Sequence, residues 1–271
     1  GPIGTLSYLT SAFGADTDRL WGNGGDAVTV TVEWNEPSNV SPEPRLIVHY
    51  VNSGDLIIEP DEFEGNDTVW TYQVSSLSSD PLDDGYVNFS INGSDIGNNP
   101  IVEYLFNDVF MLDNVAPVVT NVLPVDSSFI NSTLIGFRIN EINGILDSVN
   151  IAFKKMSGPG ENFSIDLVAA ELDTGTHAQD SLFNQDIIDS SITDSTVYKL
   201  VFTTVDSAGN IGRDTLYDVT YDISNPWVNL SFSDTLIMGD STVLMTATFS
   251  EILDAASTPQ VMVKYANGMG T

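Results

Sequence analysis

Residues 28–34, VTVTVEW, alternate apolar and polar side chains. The alternation returns in RLIVHYVN at 45–52, with Leu46, Val48 and Tyr50 on one face. A period of two marks a half-buried β-strand. Further on, Tyr198, Leu200 and Phe202 alternate with Lys199, Val201 and Thr203. Asp206-Ser207-Ala208-Gly209-Asn210 is turn chemistry, because Gly and Asn accept positive φ and Asp caps the bend. Leu216, Val219 and Tyr221 predict the return strand, and Asp222-Ile223-Ser224-Asn225-Pro226 ends it, since proline cannot donate to a ladder. No stretch carries a long helical stripe; the best candidate, IDLVAAEL at 165–172, reads as a strand with a loop.

The strand pattern repeats. VTVTVEW runs into Asn35-Glu36, and after seven intervening residues Pro44 opens the next strand. VLMTATF at 243–249 runs into Ser250-Glu251, and after seven intervening residues Pro259 opens QVMVKYAN, with Val261, Val263 and Tyr265 on one face. A middle copy has LIGFRI at 134–139, then Asn140-Glu141, with Ile151, Phe153 and Lys155 in the places of Leu46, Val48 and Tyr50. The ends agree: Asp113-Asn114-Val115-Ala116-Pro117 corresponds to Asp222–Pro226. Val87, Phe89 and Ile91 lead to Asp95-Ile96-Gly97-Asn98 as Tyr198, Leu200 and Phe202 lead to Asp206 and Gly209-Asn210. The period is about 105–110 residues. Three units follow: residues 1–115, 116–224, and 225–271, the last with only its first three strands. The sequence thus reads as cut from a longer protein.

About seven short strands in a unit of roughly 110 residues, separated by Gly, Asp, Asn, Ser and Pro, predict an all-β fold of tandem immunoglobulin-like Greek-key sandwiches. No cysteine is present, so the disulfide of antibody domains is excluded, together with thiolate metal sites and thiol catalysis. The pairing of D-x-A-G-N before the last strand with a D-x-x-x-P exit linker resembles the immunoglobulin-like repeats of giant bacterial surface adhesins. That resemblance spans the chain as a repeat type and is sharpest over 198–226. It implies a stalk of many such domains whose joints calcium often stiffens. Asp95-Ile96-Gly97-Asn98 departs from the pattern by one residue, which predicts a different turn in the first unit.

Charge narrows the partners. Eight Lys and Arg against 38 Asp and Glu give a net charge of −30. Nucleic acid needs basic residues to neutralise phosphate, so it is not an expected partner, and an anionic membrane surface is disfavoured for the same reason. No apolar run of membrane-spanning length occurs. Hydrophobic residues at 42% separate the chain from disordered acidic proteins. So acidic a chain lives in salt or gathers cations at particular places.

The Greek-key order predicts where. The loops after the second and sixth strands share the pole at which the incoming linker arrives. Glu141, Asp206 and Asn210 then meet Asp113 and Asn114 at the joint between the first and second units. The next joint repeats the pattern with Asp222, Asn225 and Glu251, and the first unit offers Glu36 and Asp95 at its own pole. Calcium takes six to eight oxygen ligands and suits such a set, whereas magnesium demands a tighter octahedron. Taken singly, Asp and Asn in turns serve backbone hydrogen bonds. No catalytic motif is present: His49 and His177 have no nucleophile elbow near them. The expected role is therefore non-enzymatic, a calcium-stiffened extender of a secreted or cell-surface protein, its partners being further repeats of its own kind. The alternatives are a subunit of an extracellular filament or surface layer, self-assembling with a neighbour that completes the third unit, and a module that binds a glycan or protein on another surface. A binder would show clustered exposed aromatics; Trp21 and Trp70 are the scattered candidates.

Overall fold

The computed structural model describes residues 3–10, 21–38, 43–60, 68–101, 104–143, 145–168, 171–172, 174–177, 185–234, 242–256 and 258–264. The protein is mostly β. It divides into a unit Gly1–Asp222 and a unit Ile223–Thr271.

The first unit holds two sandwiches with the same strand order. In the first sandwich, β1 (Gly4–Thr10), β3 (Val28–Trp34) and β6 (Val69–Val74) make a three-stranded sheet in the order β1-β3-β6. Facing it is a five-stranded sheet of β2 (Trp21–Gly22), β4 (Arg45–His49), β5 (Asp55–Ile58), β7 (Gly85–Asn92) and β8 (Tyr104–Leu112). Its order is β2-β8-β7-β4-β5.

The second sandwich repeats this arrangement. Its three-stranded sheet has β11 (Gly136–Asn140) between β9 (Val118–Leu123) and β14 (Gly175–His177). Its larger sheet contains β10 (Phe129–Ile130), β12 (Leu146–Ser157), β13 (Phe163–Asp166), β15 (Thr196–Asp206) and β16 (Ile211–Tyr221), ordered β10-β16-β15-β12-β13. In both sandwiches the short second strand pairs in parallel with the last one.

Alternation becomes burial. Every second residue of β15 is buried from Thr196 to Asp206, and Val28, Val30, Val32 and Trp34 of β3 point into the first core. That core joins both sheets, with Trp70 and Tyr72 facing Leu46, Phe89 and Ile91. The second core sets Phe137 and Ile139 against Ile151, Phe153, Leu200 and Phe202. The two cores are separate clusters, and residues 113–117 run between them as irregular chain. The unit Ile223–Thr271 contains the antiparallel pair β17 (Val228–Phe232) and β18 (Met245–Phe249).

Several expectations need correction. Among the described residues each sandwich has eight strands rather than about seven, and the short second strand of each lies in the other sheet from the first. Pro124 sits just past β9, where a residue without an N–H cannot extend the ladder. A short helix, α1 (Gln185–Ser191), was not anticipated; it buries Ile188 and shows no stripe longer than one turn. His177 lies in β14, paired with Phe137. In the smaller unit, residues 258–264 form no named strand, while Tyr265 and Asn267 lie outside the described residues.

Phe202 is fully buried, its ring centroid 5.6 Å from that of Phe137. Phe202→Ala should destabilise the second sandwich by about 3–5 kcal/mol in denaturant unfolding, the range for an emptied aromatic site. Phe129→Ala, at a side chain 77% exposed, should change it by less than about 0.5 kcal/mol. Equal effects would place the core elsewhere.

Candidate metal centre at the joint

Strand β8 ends at Leu112, and the next residue is held by an N–H bond from Asp113 to the carbonyl of Gly22 in β2 (2.9 Å). Asp113 therefore belongs structurally to the first sandwich. Glu141 follows β11, and Asp206 closes β15, both in the second. One carboxylate oxygen from each of the three lies within 4.8 Å of the others. Asp113 and Asp206 are completely buried and Glu141 half-buried.

The turn at Asp206 is built by its own residues. Asp206 Oδ1 accepts the N–H of Asn210 (2.9 Å), and Oδ2 accepts its side-chain amide (3.0 Å). Gly209 takes the left-handed conformation this requires, at φ 89°. The Asn210 amide also donates to the Asp113 carbonyl (2.8 Å), tying the turn to the linker. Close approach sets a second requirement: a Cβ at Gly212 would sit 1.8 Å from the Pro117 carbonyl oxygen, so only glycine lets the linker lie against β16. Glu141 Oε1 accepts the N–H groups of Ile142 (2.8 Å) and Asn143 (3.1 Å), while its Oε2 is buried.

Asp113 is the anomaly. Its Oδ1 accepts one N–H, from Val115 (3.0 Å), and its Oδ2 is buried with no hydrogen bond. Burial pushes its pKa up to about 6, and the charges of Asp206, Glu141 and Asp84 push the same way against the single N–H bond from Val115. Asp206 is also raised, by burial first, with Asn210 opposing and Glu141 reinforcing. The contrast is Asp83, equally buried. Burial pushes Asp83 up too, but hydrogen bonds from Ser53, Ser78 and Asn52 outweigh it and leave it lowered. Asp83 is a satisfied structural carboxylate. Asp113 is a buried charge with spare lone pairs, and oxygen ligands of this kind are what a hard cation requires.

Only part of the expected site residues converge. The structure brings together Asp113, Glu141 and Asp206. Asn210 orients two of them with its N–H groups. Asn114 faces the first sandwich: its Oδ1 accepts the Gly24 N–H (2.6 Å) and its amide donates to Asp84 (2.8 Å). Asp84 was not foreseen; it sits before β7, with only the preceding Asp83 to mark it as unusual. Asp222 ends β16 by donating its N–H to Ile130, as Asp113 does to Gly22. Asn225 is exposed and Glu251 half-buried in the smaller unit. Glu36 is half-buried, two residues before Ser38, which bridges to the turn at Asp95.

That turn corrects the expected difference. Asp95 accepts the N–H and the amide of Asn99 (2.8 and 2.7 Å), as Asp206 does those of Asn210. Asn98, at φ 61°, stands where Gly209 does, so the two turns have equal length.

One other constellation invites a catalytic reading. His49 places Nδ1 2.6 Å from Asp55 Oδ1 and Nε2 2.7 Å from Ser90 Oγ. Ser90 is completely buried, so its hydroxyl offers no surface for an incoming substrate, and the cluster ties β5, β4 and β7 together.

Neither a known protein family nor a curated protein matches the sequence. Among solved structures, a DUF4785 family protein from Legionella pneumophila subsp. pneumophila str. Philadelphia 1 is similar at 15% sequence identity and a TM-score of 0.32. The similarity covers 79% of this chain and 55% of that one, so the chain spans about half of that protein's length. A likeness this slight says nothing about the site.

The pH dependence follows from the raised pKa of Asp113. Between its ordinary value of 3.8 and about 6 the folded protein holds a proton that the unfolded chain has released. Stability contributed at low pH is therefore lost as pH rises through about 6. In chelator, Asp113→Asn should melt several degrees above the wild type at pH 7.5 and with no advantage at pH 4. A difference that stays constant across that range would show that Asp113 is not a buried, uncompensated carboxylate.

Proposed function

We propose that the chain is a structural extender built from tandem immunoglobulin-like sandwiches, and that calcium at the joint between the first two makes them one rigid body. The observation that carries this reading is the buried cluster itself. Asp113 comes from one sandwich and Glu141 and Asp206 from the other, so an ion bound by all three is a cross-link between folding units. Three carboxylates offer up to six oxygens, within the coordination number of calcium. Binding free energy at such a site becomes ordering of the joint.

The repeat reading draws support from construction. Ile3 and Asn35 exchange bonds at the start of the first sandwich, through the Ile3 N–H to Asn35 Oδ1 (2.8 Å) and the Asn35 N–H to the Ile3 carbonyl (3.0 Å). Trp227 and Ser250 do the same in the smaller unit, at 3.0 and 2.9 Å. Together with the shared strand order and the matching turns at Asp95 and Asp206, these point to one module used repeatedly. Three like modules in series suit a spacer on a cell surface or in a secreted protein. Among the described residues no helix is long and apolar enough to cross a membrane.

A second reading, a subunit completed by a neighbour, is favoured by one feature. Val228, Leu230 and Phe232 are paired with Phe249, Ala247 and Met245 on one face of the β17-β18 pair, and the first three are 46%, 46% and 53% exposed. Of the two tryptophans expected to mark a glycan-binding module, Trp70 is buried in the core and Trp21 is half-buried, whereas Trp227 is 66% exposed.

Small-angle scattering and thermal melting of the whole chain, in calcium and in excess chelator, separate these readings. At calcium about 100-fold above its dissociation constant, linkage supplies about 2.7 kcal/mol, which is about 5–10 °C of melting temperature for a chain of this size. The extender reading expects that gain together with a longer, stiffer particle. No change in either quantity would remove calcium from the account. Concentration-dependent growth in mass would favour the neighbour-completed subunit instead.

A further inference from the structure

The loop that ends at Asp84 is tied down more firmly than a surface crossover requires. A 3-10 helix, Pro81–Asp83, is capped by Asp80, whose Oδ1 accepts the Leu82 N–H (3.0 Å). Asp83 anchors it from below through Asn52, Ser53 and Ser78. The loop therefore presents the Asp84 carboxylate at a fixed place on the pole of the first sandwich. The two oxygens then divide their work. Oδ1 accepts both the N–H and the amide of Asn114 (2.9 and 2.8 Å), and Oδ2 accepts the amide of Asn143 (3.3 Å).

Both asparagines adjoin cation-site carboxylates. Asn114 follows Asp113 in the chain, and its own Oδ1 is locked on Gly24, where a Cβ would meet Ser79 Cα at 2.4 Å. Asn143 donates its backbone N–H to Glu141 Oε1 (3.1 Å). One carboxylate of the first sandwich thus sets the neighbour of Asp113 and, across the joint, the loop that aims Glu141. Asp206 needs no such help, because Asn210 already holds it.

We propose that Asp84 is a positioning residue of the Asp113–Glu141–Asp206 cation site, holding Asp113 and Glu141 in register through Asn114 and Asn143 without touching the ion. This rests on the calcium reading above. It makes the site a property of the pair of sandwiches, since the second alone has neither Asp113 nor Asp84.

Two roles for Asp84 must be told apart. As a distant charge, it attracts a cation by its field alone, and removing any hydrogen bond to it leaves binding unchanged. As a positioning residue, it acts through Asn143, and cutting that contact weakens binding although no charge is lost.

The test is calorimetric titration of calcium chloride into the whole chain, with Asp113→Asn as the background that subtracts binding elsewhere. Asp84→Asn should weaken the joint site about 10-fold, Asn143→Ala about 3- to 10-fold, and the double variant no more than Asp84→Asn alone, because the two act through one contact. Melting in chelator should be unchanged or raised for Asp84→Asn, since a like charge near Asp113 is removed; a structural defect would lower it. Wild-type affinity in Asp84→Asn, or a loss in Asp84→Asn with none in Asn143→Ala, overturns the proposal while leaving the calcium site standing. If the wild type itself shows no binding above the Asp113→Asn background, the calcium reading fails and this inference goes with it.

Discussion

A carboxylate buried where one sandwich passes into the next constrains everything around it. Asp113 has surrendered water, keeps one hydrogen bond, and faces two further carboxylates within 4.8 Å. An isolated buried charge of this kind is costly, and a protein relieves it by protonation, by donors or by a counter-ion. Donors are what Asp83 uses, a short distance along the same pole. At the joint the chain supplies few donors and more negative charge, which leaves a proton or, on the reading proposed above, a cation. The net charge of −30 sets the same balance for the whole surface, and among the described residues it is concentrated and buried at this place.

The polar contacts around the cluster explain how so acidic a joint holds together at all. Asparagine amides do most of the bridging: Asn210 to the Asp113 carbonyl, Asn143 to Asp84, and Asn23 to the Ala208 carbonyl at 2.9 Å. A neutral amide can donate to carboxylates and carbonyls without adding charge of either sign. Lysine in these places would neutralise the cluster. The joint is thus held by neutral donors, which leave its negative charge in place.

Much of this was legible from residue pattern, for physical reasons that differ by element. Strands β3 and β15 declared themselves because one face is wholly buried, so their alternation is strict. Asp206 and Asn210 were legible because a turn needs both a cap and a left-handed residue, which few residue types supply. Asn98 concealed the equivalent turn, since asparagine can take the conformation that glycine takes at 209. The short second strands were hidden because sheet pairing depends on which neighbour is present, and β2 and β10 are only two residues long. Helix α1 buries a single Ile188, too little for a periodic signal. Asn114 was misplaced because its side chain could turn either way from the linker, and the deciding partners, Gly24 and Asp84, lie 90 and 30 residues away. Asp84 itself could not be singled out among 38 acidic residues, because its role is a matter of tertiary address and not of local chemistry.

The central claim is that a cation shared by Asp113, Glu141 and Asp206 fixes one sandwich relative to the next. With no native cysteine, the chain accepts spin labels at Ile57→Cys and Met156→Cys, both 55% exposed and one on each sandwich. Pulsed electron–electron distance measurement on that pair reads the joint directly. The account predicts a single narrow distance in calcium that broadens in chelator, and a broad distribution in both conditions once Asp113→Asn is added. A distribution that is the same with calcium, with chelator and in the Asp113→Asn variant would contradict it.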